Sequence, residues 1–595
     1  MSNAKVRGTA AFGKFKLCES AADVTNAAVL TDASRETPVL LRFSTVLGSR
    51  GSADAVRDVR GFAVKFCTEE GNWDVVGNNI PVSIQDAIKF PNVVHARKPE
   101  PHNEVPQAQS AHNNFWDFQF LYTEATHMFM WTQSDRAIPK LYRMMQGFGV
   151  NTYTLTNDKG ERHFVKFHFT PELGVHSLVW DEALKVSGQD PDFHRKDLMK
   201  AIDMGDFELD ILDATKIWPE ELAPIHYIGE LELNRNVDEF FTQTEQVALC
   251  TSHVVPGIGF SDDPLLQGRN FSYFDTQLSR LGINWQELPI NRPICPVMNQ
   301  NRDGAMRYGI HKETVNYWPT RYGACPPAKP SEGGYVEFPE KLAGIKTRLR
   351  SKKFQEHFNQ AQLFFNSLSE PEKAHIAAAL SFELDHCDDP VVCECMCERL
   401  AEIDLKLAQQ VAESVGGSIP QETKRPSHGK KTKNLSQLDF LPKRPTIASC
   451  RVAIIITDGF DLVGYAGIKA ALTAAQAFPF TIGSRHSPIF PAGEDRKSGE
   501  GVKPDHHLEG MRSTMFDSIF IPGGADEAAA LVKNTVDLPE ITVSESAETQ
   551  ESYGVVTAAK ITPKSFKGVF KMANGTKDFV DAYFYSISQH RNWDH

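Results

Sequence analysis

The chain contains no uninterrupted apolar run of about 18 residues, so nothing in it reads as a membrane-spanning helix. Its first twenty residues lack the continuous apolar stretch of a secretory signal. Lys and Arg never gather into long runs, and the formal net charge is −13 over 595 residues. An electrostatic claim on nucleic acid is therefore excluded. No Gly-x-Gly-x-x-Gly fingerprint occurs, and the final residues Asn592 to His595 are not a Ser-Lys-Leu type of address. These absences lead to the expectation of a cytoplasmic protein with neither a membrane nor a nucleic-acid partner. Peroxisomal import by another route is compatible with them.

What is present is ordinary soluble-protein composition, 41% hydrophobic and 23% charged, in a chain too long for one core. Of ten cysteines, four cluster in "HCDDPVVCECMCE" as Cys387, Cys393, Cys395 and Cys397. On a helix only Cys393 and Cys397 share a face, which suits reduced thiols better than a metal centre.

Three textures follow one another. Residues 1–341 hold β-rich runs such as "PVLLRFSTV", "RGFAVKFCT" and "HFVKFHFT" between long loops, an α+β pattern that predicts an antiparallel β-barrel core. Over 342–415 apolar residues recur at three and four, as in amphipathic helices. Residues 416–448 are polar, basic and Pro-containing, and read as a linker. Over 449–595 two strand-turn-helix units, "CRVAIIITDGFD" with "YAGIKAALTAAQAF" and "SIFIPGG" with "ADEAAALVKN", predict a small doubly wound α/β domain. The glycines of "PGGADE" could cradle a phosphate, or simply serve a strand-end turn. Cys450, the last cysteine, precedes the first strand of this domain, so a cysteine nucleophile at a strand-end turn within it is excluded.

The most chemically specific segment is "DDPLLQGRNFSYFDTQLSRLG", residues 262–282. Arg269 stands four residues before Tyr273, so a helix places guanidinium and phenol on one face, one turn apart. A tyrosine ligates ferric iron only as phenolate, and with a free pKa near 10 it needs a fixed cation beside it. Taken alone, such a pair also describes an ordinary helix surface.

Together with "RFSTVLGSRGSADAVRDVRGFAVKF", "GNWDVVGNNIPV" and "KFPNVVHARKPEP", this segment resembles the haem catalases. The helical stretch and terminal α/β domain resemble the large-subunit branch, in which a flavodoxin-like domain, related to the class I amidotransferases, follows the core. The resemblance implies haem (iron protoporphyrin IX) as cofactor, hydrogen peroxide as substrate and a homotetramer. It implies Tyr273 as the proximal iron ligand, with Arg269, His168 and Asp263 as a relay behind it, and Arg42 and Arg280 on the haem propionates. Ser44 and Asn78 would surround the peroxide, Val46 and Asp74 would line its access channel, and Phe90 would pack over the haem.

Three positions depart from the family. Ser83 replaces a phenylalanine, which predicts a roomier and more polar distal ceiling. Cys250 stands where some large-subunit members have a histidine bonded to the tyrosine, so that cross-link is not expected. Lys5 stands where the family has its distal acid–base histidine, and a lysine of pKa near 10.4 is a poor substitute for imidazole. His95, in a superficially similar "VVHAR", belongs to a different segment and reads as structural. Two readings of Lys5 remain open: a start that omits the histidine, or a relative that dismutes peroxide poorly. The second brings alternatives of oxidising an organic substrate or acting as a non-catalytic haem-binding subunit.

Overall fold

Alternation organises the first sheet. In β2 (Glu36–Thr45) Val39, Leu41 and Phe43 face one core while Leu40, Arg42 and Ser44 face the other way, as successive strand residues must. The computed structural model describes residues 7–106, 112–204, 209–210, 225–296, 302–310, 312, 314–322, 326–332, 334–336, 338–341, 355–441, 446–495, 499–523, 551–556, 569–573 and 577–588.

Strand β2 pairs antiparallel with β1 (Gly8–Leu17) and β3 (Arg60–Thr68), and β3 with β4 (Gly71–Asn78). The sheet is completed by β5 (Gly147–Phe148), β8 (His168–Pro171), β9 (Leu209–Asp210) and β10 (Gly229–Asn236), in the order β10-β1-β2-β3-β4-β5-β8-β9. Its end strands β9 and β10 approach each other, so the sheet curls as the barrel expectation requires. A smaller antiparallel sheet joins β6 (Tyr153–Thr156), β7 (Arg162–Val165) and β11 (Ile258–Phe260). Phe43, Phe62, Phe66 and Trp73 fill the core side, with Phe66 stacked on Trp73 at 4.4 Å.

Helices Asn359–Ser367, Glu370–Leu384, Pro390–Ala401 and Leu405–Val415 build a second core with Trp116, Phe129 and Trp131. Ser369 and Glu372 form a reciprocal capping box, and Asp389 and Asp404 cap the next two starts. Cys393 and Cys397 are both buried, as the helical spacing predicts. Among the described residues no group of three or more His, Cys, Asp or Glu could hold a metal ion.

The linker expectation needs correction. Residues through Leu441 belong to the first compact unit. Pro426 O accepts from Gln362, the Thr432 N–H donates to Ser367 Oγ, Ser436 Oγ donates to Glu372, and Leu435 is buried. A polar segment need not be loose when each polar group finds a partner on a neighbouring helix.

The second unit comprises 181–193 and 442–595. Strands β14 (His506–His507), β13 (Phe478–Gly483), β12 (Arg451–Ile456) and β15 (Ser518–Ile521) are adjacent and parallel. Beyond β15, β16 (Glu551–Val556) and β17 (Val569–Ala573) run antiparallel, so the sheet is mixed rather than wholly parallel. The segment "ADEAAALVKN" lies outside the described residues. No described helix is long and apolar enough to cross a membrane.

Residues 181–193 are held within this second unit. Gln189 Nε2 donates to Gly510 O at 3.0 Å, and the Arg451 guanidinium lies 5.4 Å from the Phe193 ring. Removing 442–595 is accordingly expected to speed amide hydrogen exchange across 181–193 in whatever truncated protein remains soluble. Unchanged exchange there would show that the segment does not depend on those contacts.

Candidate active site

The helix Pro264–Leu281 starts where Asp263 Oδ1 accepts from the Leu265 and Leu266 N–H groups at 2.9 and 3.3 Å, with Pro264 in the first position. It ends at Gly282, whose φ of 95° favours glycine. Between these caps Arg269 Nη2 donates to Tyr273 Oη at 2.6 Å, the pairing expected of the i, i+4 spacing. The other guanidinium nitrogen, Nη1, donates to Asn151 Oδ1 at 2.7 Å, and Asn151 Nδ2 donates to Asp263 Oδ2 at 3.0 Å. Arginine only donates and carboxylate only accepts, so an amide is the kind of group that can stand between them.

Tyr273, Arg269 and Asp263 are thus joined as the sequence predicts, but through Asn151 rather than His168. His168 lies in β8 opposite Phe148, with its ring 5.0 Å from the Phe148 ring. Burial, reinforced by Lys166, pushes its imidazole well below the ordinary range. Asn151 itself is fully buried and follows Val150, a β-branched residue at φ 31°. That is a strained conformation.

Across from the helix, sheet register assembles one row: Gly8 opposite Ser44, Ser44 opposite Gly61, Gly61 opposite Asn78, and Asn78 opposite Phe148. Directly paired antiparallel residues share a face, so Ser44 and Asn78 flank Gly61 on one side of the sheet. One step along, Ala10, Arg42, Ala63 and Val76 form the next row. Tyr273 packs against Ala10, Ala63, Val76, Leu40, Val247 and Leu249. The neighbour Asn79 points elsewhere: its amide accepts from the Arg60 N–H at 2.7 Å and donates to Arg136 O at 2.9 Å. The first Asn of "GNN", not the second, is therefore the one on the site face.

Arg42 and Arg280 lie near enough to repel. Burial, reinforced by the Arg42 charge and opposed by Glu245, brings the Arg280 guanidinium down to about 10. Burial lowers Arg42 as well, opposed by Glu245. Arg280 Nη2 is held by Val247 O at 2.8 Å and Gln277 Oε1 at 2.6 Å. Two desolvated guanidiniums beside each other favour an anionic group.

Asp74 is not at a channel mouth. It is fully buried, with Oδ1 2.8 Å from Lys65 Nζ and Oδ2 2.8 Å from His253 Nδ1, and it accepts from the Cys250 N–H at 2.9 Å. The carboxylate beside Val46 is Asp58, whose Oδ2 accepts from the Val46 and Leu47 N–H groups at 2.8 and 2.7 Å. Burial alone would raise the Asp74 carboxyl, but Lys65 and His253 outweigh it and hold it below the usual carboxylate range. A depressed carboxyl contributes stability above its unfolded pKa of about 3.9, which is lost as pH falls through the folded value. Asp74→Asn should destabilise the chain by about 3–5 kcal/mol at neutral pH, since it strands Lys65. Its deficit against wild type in denaturant melts should shrink below about pH 4. A deficit that stays constant with pH would contradict this.

Of the remaining positions, Phe90 opens the helix Phe90–Ala96 and is 39% exposed, while Val46 is 38% exposed. Ser83 and Cys250 are buried, and Cys250 Sγ lies 3.0 Å from Ser252 Oγ. His95 is exposed on the helix it shares with Phe90. Lys5 lies outside the described residues.

The curled antiparallel sheet facing an Arg–Tyr helix defines an oxidoreductase of the catalase family, and the chain belongs to that family: residues 3–324 match its model, described as Catalase, and residues 351–415 match that of a Catalase-related immune-responsive domain. The chain is 64% identical to Catalase-1 of Neurospora crassa and 61% identical to Catalase A of Aspergillus fumigatus, in each case over 99% of this chain and 86% of the relative. It is also 44% identical to Catalase HPII of Pseudomonas putida, with the same coverage.

Proposed function

We propose that the chain is a haem-dependent catalase, converting two molecules of hydrogen peroxide into two of water and one of dioxygen. The observation that carries this reading is the 2.6 Å Arg269–Tyr273 bond, with Tyr273 packed against a cluster that includes Ala10, Ala63 and Val76 of the sheet, in a core that also sets the Arg42 and Arg280 guanidiniums within reach of each other. That donor set suits iron protoporphyrin IX. The phenol can serve as a phenolate ligand, the small residues admit a flat macrocycle, and the paired arginines match two propionates.

Bound there, haem supplies the redox chemistry of peroxide cleavage. Tyr273 would ligate the iron, and Arg269 would keep its oxygen anionic while Asn151 and Asp263 fix the guanidinium. Arg42 and Arg280 would hold the propionates, with Phe90 packing over the macrocycle. On the sheet side Ser44 Oγ, a donor and acceptor, and the Asn78 amide would orient peroxide by hydrogen bonding. Val46, beside the Asp58-pinned turn, would border its approach. The relatives named above are all called catalases, so the organic-substrate reading is not carried forward.

The test is oxygen evolution per haem by the purified chain. Rapid dioxygen release with one haem per chain supports the reading. Haem-replete protein that releases no dioxygen would overturn it.

A homotetramer is part of the same proposal. Tyr308, Ile310, Tyr317, Tyr322 and Tyr335 are each more than half exposed, with Ile310 at 91%. Apolar surface of this kind is normally covered. Light scattering on the purified chain distinguishes a tetramer from a monomer.

A further inference from the structure

Residues 246–251 belong to neither helix nor strand, and side chains hold their backbone from two sides. On one side stands the helix Pro264–Leu281. Its Arg280 Nη1 donates to Glu245 O, Arg280 Nη2 to Val247 O at 2.8 Å and Gln277 Nε2 to Leu249 O at 3.1 Å, while Thr251 Oγ1 donates to Asn270 Oδ1 at 2.8 Å. On the other side Asn291 Nδ2 donates to Gln246 O at 3.0 Å, Asn291 Oδ1 accepts from the Ala248 N–H at 2.7 Å, and Asp74 Oδ2 accepts from the Cys250 N–H at 2.9 Å. Backbone groups of 245, 247 and 249 thus face the helix, and those of 246, 248 and 250 face away from it. That is the alternation of an extended strand, here with side chains in place of neighbouring strands.

Asn291 fixes the depth of this strap. It is 3% exposed, and its second Nδ2 hydrogen goes to Trp285 O at 2.9 Å, just past the end of the helix. Its own backbone is tied down as well: the carbonyl accepts from Asn72 Nδ2 of β4 at 2.9 Å, and the N–H donates to Leu288 O at 2.8 Å. One amide therefore uses its oxygen and both its N–H groups to join the strap to the helix exit, from a base on the sheet. Aspartate would set an anion against two carbonyl oxygens, and leucine would leave two carbonyls and one N–H unpaired. The strap matters for what it carries. Val247 and Leu249 belong to the cluster on which Tyr273 packs, and Glu245 O and Val247 O hold the Arg280 guanidinium.

We propose that Asn291 is a positioning residue for Tyr273 and Arg280, acting through residues 246–251; the inference rests on the haem reading given above. The test compares Asn291→Ala with Val411→Ala, which opens a cavity on the buried face of the helix Leu405–Val415 and leaves the strap alone. Asn291→Ala should retain haem, because Tyr273 and Arg269 are intact, yet alter the rhombic splitting of the ferric electron paramagnetic resonance signal, which reports the orientation of the axial ligand. It should also pass haem to excess apomyoglobin about tenfold faster than wild type does, as expected when the support behind a ligand is lost. Val411→Ala should lower the melting temperature and change neither. Where Asn291→Ala does not fold, Thr251→Val decides: it keeps the side-chain shape, removes only the strap's bond to Asn270, and should shift the signal as well. Wild-type splitting and haem transfer in either folded variant would overturn the proposal, and so would an equal change in Val411→Ala. A wild type that takes up no haem would instead overturn the haem reading, and this inference with it.

Discussion

Purified Tyr273→Phe protein should fold normally and carry almost no haem. Ionising a phenol of pKa near 10 at pH 7 costs about 4 kcal/mol, so an anionic oxygen at this position requires a cation held against it. Arg269 Nη2 at 2.6 Å from Tyr273 Oη is such a cation, and Asn151 and Asp263 hold the guanidinium from behind. Phenylalanine keeps the ring against Ala10, Ala63 and Val76 and removes only the oxygen. Melting temperature should therefore change little, while the ratio of Soret to protein absorbance, checked by iron analysis, should collapse. Arg269→Gln should fall between the two, because the phenol remains but its ionisation is no longer offset. Full haem occupancy in Tyr273→Phe would remove Tyr273 from the role of ligand.

How much of this site can be read from the sequence depends on how local each contact is. The Arg269–Tyr273 pair is legible because helix geometry alone brings residues four apart together. Asn151 is not legible: its contacts to Asp263 and Arg269 cross more than a hundred residues, and its direction follows from the unusual φ of Val150, which no local rule for valine anticipates. Asp74 could have been placed correctly. A tight turn at Glu69 and Glu70 pairs Thr68 with Gly71, and continuing that register puts Asp74 opposite Lys65, a buried ion pair rather than a channel residue. The segment after residue 416 misleads for the opposite reason. Its composition is that of a linker, and only contacts to distant helices reveal that it is fastened down. The same limit applies to the second sheet, where strand runs of parallel type are visible but the reversal at β16 is not.

Gly61→Ala should cost about a hundredfold in peroxide turnover while leaving the chain folded. A Cβ added at Gly61 would collide with Ser44 Oγ and lies 3.7 Å from Ser44 Cβ and Ser44 O. Strand β3 cannot retreat, because it is hydrogen-bonded to β2 on one side and β4 on the other. Arg60, the preceding residue, is further anchored: its guanidinium donates to Asp54 O, Val56 O, Asp58 O and Ala137 O at 2.9, 2.6, 2.7 and 3.2 Å. The yielding element is then the Ser44 side chain, which must leave its rotamer at a cost of about 0.5–1.5 kcal/mol. That is too small to unfold the sheet. It is large enough to move a hydroxyl by about 1 Å, and misplacement on that scale can cost about a hundredfold in rate. Haem content should be retained, since Tyr273, Arg42 and Arg280 are untouched. Oxygen evolution per haem is the measurement, with Ser44→Ala as the comparison. If Ser44 acts through its position, Gly61→Ala and Ser44→Ala should fall to similar rates, and the double variant should fall little further. Wild-type turnover by Gly61→Ala would mean that the Ser44 hydroxyl takes no part in holding peroxide, and would leave Asn78 as the orienting group on that face.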